Sequence, residues 1–254
     1  MSEHVRVRRD GPRVTLTLDR PPLNVLTTAM IVDLERALRD ADADPTARLV
    51  VLDADGKAFS AGVDIADHVG DRIGPMMDAL TSLFTTFDAI SVPTVAVVHG
   101  AVLGGGLEVA LGTDLVIARE DAKLGQPEIR LGLFAPPASV LLPRILGPRR
   151  ALDLLLSGDT VDAAAALDLG LVNAVFPADG FTEAASAWCE RIERHSGAAL
   201  RQAVRAARTG AAGAVPEALR AVHRQYLDDL MPTEDAREGL DAFQNKRKPS
   251  WKDR

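Results

Sequence analysis

Apolar and polar positions along this chain switch between two periods, and each switch predicts an element. Residues 6–7 and 14–18 alternate around Asp10-Gly11-Pro12, which predicts a hairpin. Arg20-Pro21-Pro22 ends the second strand, and residues 24–26 read as a loop. Over 30–38 the period lengthens, with Ile31, Leu34 and Leu38 on one helical face. A solidly apolar strand at 49–52 leads to Ala58-Phe59-Ser60-Ala61-Gly62-Val63-Asp64-Ile65, a loop of mostly small residues. A helical pattern over 74–89 is stopped by Pro93. The order then repeats: an apolar strand at 95–98, glycines at 104–106, and a helix from Leu107. Strand, small-residue loop and helix, twice over, predict stacked units with parallel strands.

Downstream, residues 131–137 are irregular and hold Phe134, Pro136 and Pro137. Helices are expected over 138–146 and 149–156, split by Gly147-Pro148. A helix over 160–169 takes Thr160 as N-cap and Gly170 as C-cap, and 171–175 reads as a short strand. From about residue 181 the pattern is nearly all helical, with breaks at Gly197, 213–216 and Pro232. Thr233-Glu234-Asp235 caps the last helix, and Lys246-Arg247-Lys248 forms a basic tail.

Composition narrows the class. The 254 residues, 47% of them apolar, suit one large domain or two small ones with a sizeable core. The net charge of −7 argues against nucleic acid or an anionic membrane as partner. Cys189 is the only cysteine and the five histidines are scattered, so neither a disulfide framework nor a metal cluster is expected. There is no secretory-type apolar segment at the N-terminus and no run long enough for a membrane span. These features predict a soluble, cytoplasmic protein without a metal.

The candidate chemistry centres on Glu108. Its neighbours Leu107, Val109, Ala110 and Leu111 are apolar, so its helix has no solvent face, and a buried carboxylate without partners costs several kcal/mol. Gly104, Gly105 and Gly106 precede it and let the backbone approach a ligand closely. Gly62-Val63 and Gly104-Gly105 share one design, each following an apolar strand. If those strands are neighbours, two N–H groups can converge on one oxygen and stabilise an enolate or a tetrahedral anion. Glu128, after Pro127, is the second carboxylate; in different environments two such groups divide acid and base roles. Ser60 lacks a histidine partner and is not expected to be a nucleophile. Cys189 and His99 read as packed residues, and His68 could edge a pocket.

Five ordered motifs carry a resemblance over most of the chain. They are Arg20-Pro21 with Asn24-Val25-Leu26; Lys57 through Ile65; His99-Gly100 through Glu108; Gly125-Gln126-Pro127-Glu128; and Leu156-Ser157-Gly158 to Gly170-Leu171-Val172. With these the chain resembles the enoyl-CoA hydratase/isomerase family, the crotonases. The resemblance implies an α/β fold, a crotonase (ClpP-like) spiral of ββα units with a C-terminal helical trimerisation region. The spiral core would span 1–195 and the oligomerisation region 196–254, assembled as a homotrimer or dimer of trimers. It implies an oxyanion hole from the amides of Val63 and Gly105, with Glu108 and Glu128 as the catalytic pair. Leu26, Ala61, Val63, Asp64, Ile65, Ala66, Gly104 and Phe134 would contact the acyl-CoA, and Lys246 would reach its phosphates in a neighbouring subunit. No cofactor is implied, because coenzyme A is part of the substrate.

Having both glutamates favours addition of water to an α,β-unsaturated acyl-CoA thioester. One departure stands out: Pro136 occupies the place of a family glycine whose N–H helps hold the attacking water, and proline has no N–H. This segment, the Ser60 to His68 loop and residues 226–243 look most like members that hydrate cyclohexa-1,5-diene-1-carbonyl-CoA. A bulky Phe134 suits such a compact ring. Two alternatives stay open: a Δ3,Δ2-enoyl-CoA isomerase, and a non-catalytic acyl-CoA-binding or RNA-binding member of the family.

Overall fold

The computed structural model describes residues 4–195, 197–210, 225–232 and 234–248. Strands β1 (Val5–Asp10) and β2 (Arg13–Leu18) form the expected antiparallel hairpin. Helix α1 (Thr28–Asp42) is longer than its apolar stripe suggested, because Thr27 caps it by accepting from the Met30 N–H at 3.3 Å. Strand β3 (Leu49–Ala54), helix α2 (Ile73–Ala89) and strand β4 (Thr94–Val98) follow. Next come β5 (Ala101–Leu103), α3 (Gly105–Gly112), β6 (Leu115–Arg119) and β7 (Lys123–Gly125).

The remaining elements are α4 (Pro136–Leu146), α5 (Pro148–Ser157), β8 (Thr160–Asp162), α6 (Ala163–Leu169) and β9 (Ala174–Phe176), then α7 (Phe181–Glu193), α8 (Gly197–Gly210) and α9 (Glu234–Gln244). One expectation is corrected here. Thr160 is not a helix cap: residues 160–162 pair antiparallel with β7, and the Asp162 carboxylate caps α6 by accepting from Ala165 N–H at 2.9 Å. The break expected at Gly197 is present: α7 ends at Glu193 and α8 begins at Gly197. The break expected at 213–216 and the cap expected at Thr233 lie outside the described residues.

The larger sheet runs in the order β1-β2-β3-β4-β6-β9, and every pair after the first hairpin is parallel. A strand buried on both faces should read as a continuous apolar run, and Thr94–Val98 is buried throughout. Alternate residues face different layers. Val50, Leu52, Ala96 and Val98 belong to the main core with α1 and α2. Leu49, Val51, Val95, Val97 and Ile117 pack instead on Ala185, Trp188 and Cys189 of α7. A second sheet, β5-β7-β8, stands at the carboxyl end of β4 and carries the functional loops. Among the described residues, no helix is long and apolar enough to cross a membrane.

Candidate active site

Three hydrogen-bonded strand ends bring the predicted loops together. The Ser60 N–H donates to Ala101 O at 3.1 Å, and the Leu103 N–H donates back to Ser60 O at 3.0 Å. Residues 60–63 therefore run beside β5, not only above β3. On the far side of β5, Gly104 N–H donates to Gly125 O at 3.0 Å and continues the parallel β5–β7 register. The first glycine loop, the second, and the turn bearing Glu128 are thus adjacent.

Val63 and Gly105 meet at this junction. A Cβ on Gly105 would lie 3.3 Å from the Val63 nitrogen and 2.5 Å from Val63 Cγ2. Neither amide has an acceptor among the described residues. Gly105 opens α3, where unpaired N–H groups point out of the helix and favour negative charge. Gly104, the cap before it, sits at φ +53°, ψ −129°, a region nearly closed to side chains. The arrangement can hold an oxygen that gains negative charge.

The two carboxylates flank it. Glu108 lies one turn into α3 and is 3% exposed. Its Oε1 accepts from the Ala138 N–H at 2.9 Å, in the first turn of α4. Glu128 sits in a 3-10 turn, Pro127–Leu131, and is partly buried; its carboxylate rests against Gly104. Burial pushes the Glu108 pKa well above the usual carboxylate value, and repulsion from Glu128 pushes it further, against the pull of the Ala138 amide. Burial raises Glu128 to about 7. Gln126, 1% exposed, sets its side-chain amide beside the Glu128 carboxylate; assigned with its nitrogen toward that group, it donates at 3.0 and 3.3 Å. Groups coupled in this way titrate as a pair, with one proton shared between them near and above pH 7.

A buried polar scaffold sets the first loop. Asn24, fully buried, accepts from Arg20 N–H at 2.8 Å and donates to Asp55 O at 2.6 Å and Ala58 O at 2.8 Å. The Ser60 hydroxyl donates to Asn24 O at 2.8 Å and accepts from Gly62 N–H at 3.2 Å, which is a structural role. Leu26 bridges to Val63 as an isolated parallel pair, with Leu26 N–H on Gly62 O and Asp64 N–H on Leu26 O. Ala61, Asp64, Ile65 and Ala66 continue past the amide junction, and the Asp64 carboxylate caps the 3-10 turn by accepting from Ala66 N–H. His99 packs against Gly56 O, and His68 Nδ1 contacts Asp64 O at 3.0 Å. Phe134 lies between the Glu128 turn and α4. Lys246 is exposed on the turn after α9.

Sequence reasoning missed three participants. Gln126 is two residues from Glu128, and burial is what makes it a partner. The Ala138 amide has no side-chain signal at all. Tyr226, 2% exposed, meets Phe134 edge-on at 5.2 Å and feels both carboxylates. Among the described residues, no group of three or more His, Cys, Asp or Glu is placed to hold a metal.

A parallel-stranded α/β core whose crossing loops set two open amides beside one buried and one half-buried glutamate defines a crotonase-type protein. Solved structures share the fold: an enoyl-CoA hydratase from Mycobacterium avium subsp. paratuberculosis superposes with a TM-score of 0.90 at 29% identity, covering 100% of both chains. A carnitinyl-CoA hydratase from Mycobacterium avium gives a TM-score of 0.86 at 34% identity, also over 100% of both. The enoyl-CoA hydratase/isomerase family pattern matches residues 13–254, and the chain belongs to that family. Among its relatives, cyclohexa-1,5-dienecarbonyl-CoA hydratase of Thauera aromatica is 42% identical over 98% of this chain and 96% of its own. The 2,3-dehydroadipyl-CoA hydratase of Escherichia coli is 35% identical over 100% of both.

Proposed function

We propose that this chain is an enoyl-CoA hydratase, a hydro-lyase that adds water reversibly to an α,β-unsaturated acyl-CoA thioester. The observation that carries the reading is the pair Glu108 and Glu128 beside the open amides of Val63 and Gly105. The thioester oxygen accepts from both amides, so that charge gathers there as the water oxygen bonds to Cβ. The ionised member of the pair takes the proton that water loses. The protonated member supplies one to carbon as the enolate collapses, and the pair returns to its starting state by exchange with solvent. The two carboxyls act as one unit that holds a proton on one member and a vacant carboxylate on the other.

The acyl group we favour is the cyclic dienoyl one, as in the Thauera relative. Phe134 and Tyr226 form an aromatic wall near the pair, which suits a compact flat ring better than a long flexible chain. Ala61, Asp64, Ile65 and Ala66 line the coenzyme A arm. Lys246 serves a neighbouring subunit, in a trimer or dimer of trimers built through residues 196–254. The chain works in the cytoplasm and needs no cofactor beyond its thioester substrate.

The test is turnover of crotonyl-, longer enoyl- and cyclic dienoyl-CoA thioesters in heavy-oxygen water. Labelled hydroxyacyl-CoA, formed fastest from the cyclic dienoyl substrate, is the expected result. Isomerised product without label would assign the chain to the isomerases instead.

A further inference from the structure

Glycine weakens a helix interior relative to alanine, so a glycine near the middle of α9 needs a cause outside the helix. Gly239 has one. A Cβ there would fall on the main chain of the Glu128 turn, on the oxygen and carbon of the Leu131 carbonyl, with the Gly132 nitrogen 3.1 Å away. One Cα hydrogen takes the place of that Cβ and points at the carbonyl, a contact of the weak C–H···O kind. Ala236 and Leu240 share this face of α9 and pack with Leu131 and Leu133. The charged side chains of the helix are engaged elsewhere: Arg237 donates to Pro232 O at 2.9 Å, and Glu238 and Asp241 accept from Arg247.

The contact reaches Glu128 through a short stretch of backbone. The turn Pro127–Leu131 ends at Gly132, in the left-handed region at φ +73°. The Gly132 N–H donates to Ile129 O and the Leu133 N–H to Glu128 O, each at 3.1 Å, so residues 128–133 are tied as one loop. On one flank of the turn, Gly158 and Asp159 meet side chains. Ile129 Cγ2 and Arg130 Nε lie 2.8 and 3.2 Å from where a Gly158 Cβ would stand, and Arg130 pairs with Asp159 at 2.7 Å. Side chains can rotate aside. On the α9 flank the contact is with main chain, which has no such freedom. The loop has little slack at its other end, where the Glu128 carboxylate rests against Gly104.

We propose that Gly239 is a positioning residue: its bare Cα lets α9 sit directly on the Leu131 carbonyl, and that seat fixes how far the turn carries Glu128 into the pocket. Glu128 is thus placed by the last described helix. The inference rests on the hydratase reading for the step that Glu128 serves, while the placement itself is readable without turnover.

Gly239→Ala favours the helix itself but puts a methyl group where the carbonyl stands, so α9 must step back. Leu240→Ala loosens the same seat without a clash. Two measurements on the full chain test both variants. One is hydration of the wild type's best enoyl thioester. The other is the titration of the Glu128 carboxyl, followed by NMR of carboxyl-labelled glutamates and assigned by the signal missing in Glu128→Gln. A turn that backs away admits water, so in Gly239→Ala the Glu128 midpoint should drop from about 7 to below about 6.5, and in Leu240→Ala it should drop less. The hydration kcat of Gly239→Ala should fall about 10- to 100-fold, with KM within about three-fold. A Glu128 titration unmoved in both variants would overturn the inference whatever kcat does, because a merely structural loss leaves the carboxyl of the folded molecules as it was. If Gly239→Ala does not fold, the Leu240→Ala titration decides alone. A wild type that hydrates no thioester, with the titration still shifted in the variants, would overturn the hydratase reading and uphold the placement.

Discussion

The Glu128 carboxylate lies so close to Gly104 that a methyl group on that glycine would meet Oε1 at 2.5 Å. The acid and the start of α3 therefore share one small space, and glycine is what keeps it open. The same holds one residue on, where a Cβ on Gly105 would enter the space between the two open amides. Gly105→Ala should fold, since its backbone is helical, and lower kcat by about 10²-fold or more. Steady-state kinetics with a circular-dichroism control checks this; an unchanged kcat would remove the oxyanion role from Val63 and Gly105.

Glu108→Gln and Glu128→Gln keep shape and lose proton transfer. Each should bind acyl-CoA within a few-fold of the wild type and lose about 10²–10⁴-fold in hydration. Calorimetric titration with a saturated acyl-CoA, beside a hydration assay, separates the two effects. Unchanged turnover in either variant would take that residue out of the mechanism.

The shared proton sets the pH profile. Below about 7 both carboxyls are protonated and no base is present, so activity should rise as pH rises through about 7. It should fall again at higher pH, when the pair loses its remaining proton. In Glu128→Gln the limb near 7 should disappear from the residual rate.

Stability runs the other way. The folded Glu128 holds a proton that the unfolded chain has already released between 4.5 and about 7, so the fold loses stability as pH rises across that window. Above it, Glu128→Gln should be the more stable protein, by about 1–3 kcal/mol. Thermal melts at pH 5 and pH 8 test the sign: the variant's advantage should appear only at pH 8.

Asn24→Ala should be costly although Asn24 itself carries no charge. It leaves Arg20 N–H, Asp55 O and Ala58 O without their partner, and it puts alanine at φ +49°. A loss of about 2–4 kcal/mol in urea unfolding is expected. A loss below about 0.5 kcal/mol would show that water replaces the amide.

Much of this was legible in the order of residues, because the signals were local. Apolar runs marked the buried parallel strands, and glycine pairs marked the loops that approach one another. Glu108 announced itself by standing in a helix without a polar side. What stayed hidden depends on neighbours remote in sequence. Thr160 looks like a cap until Lys123–Gly125 pairs with it. The Ala138 amide has no letter of its own, and Tyr226 becomes part of the site only when the distal segment folds back onto Phe134.

That fold-back has a consequence for biosynthesis. Ala236 and Leu240 of α9 pack on Leu133, with Ile65 from the first loop alongside, so the last described helix clasps both halves of the pocket. A ribosome delivers these residues after everything they hold, while the nascent spiral already carries both acids. Both loops and both acids must therefore clear the exit tunnel before α9 can close over Leu133 and Ile65.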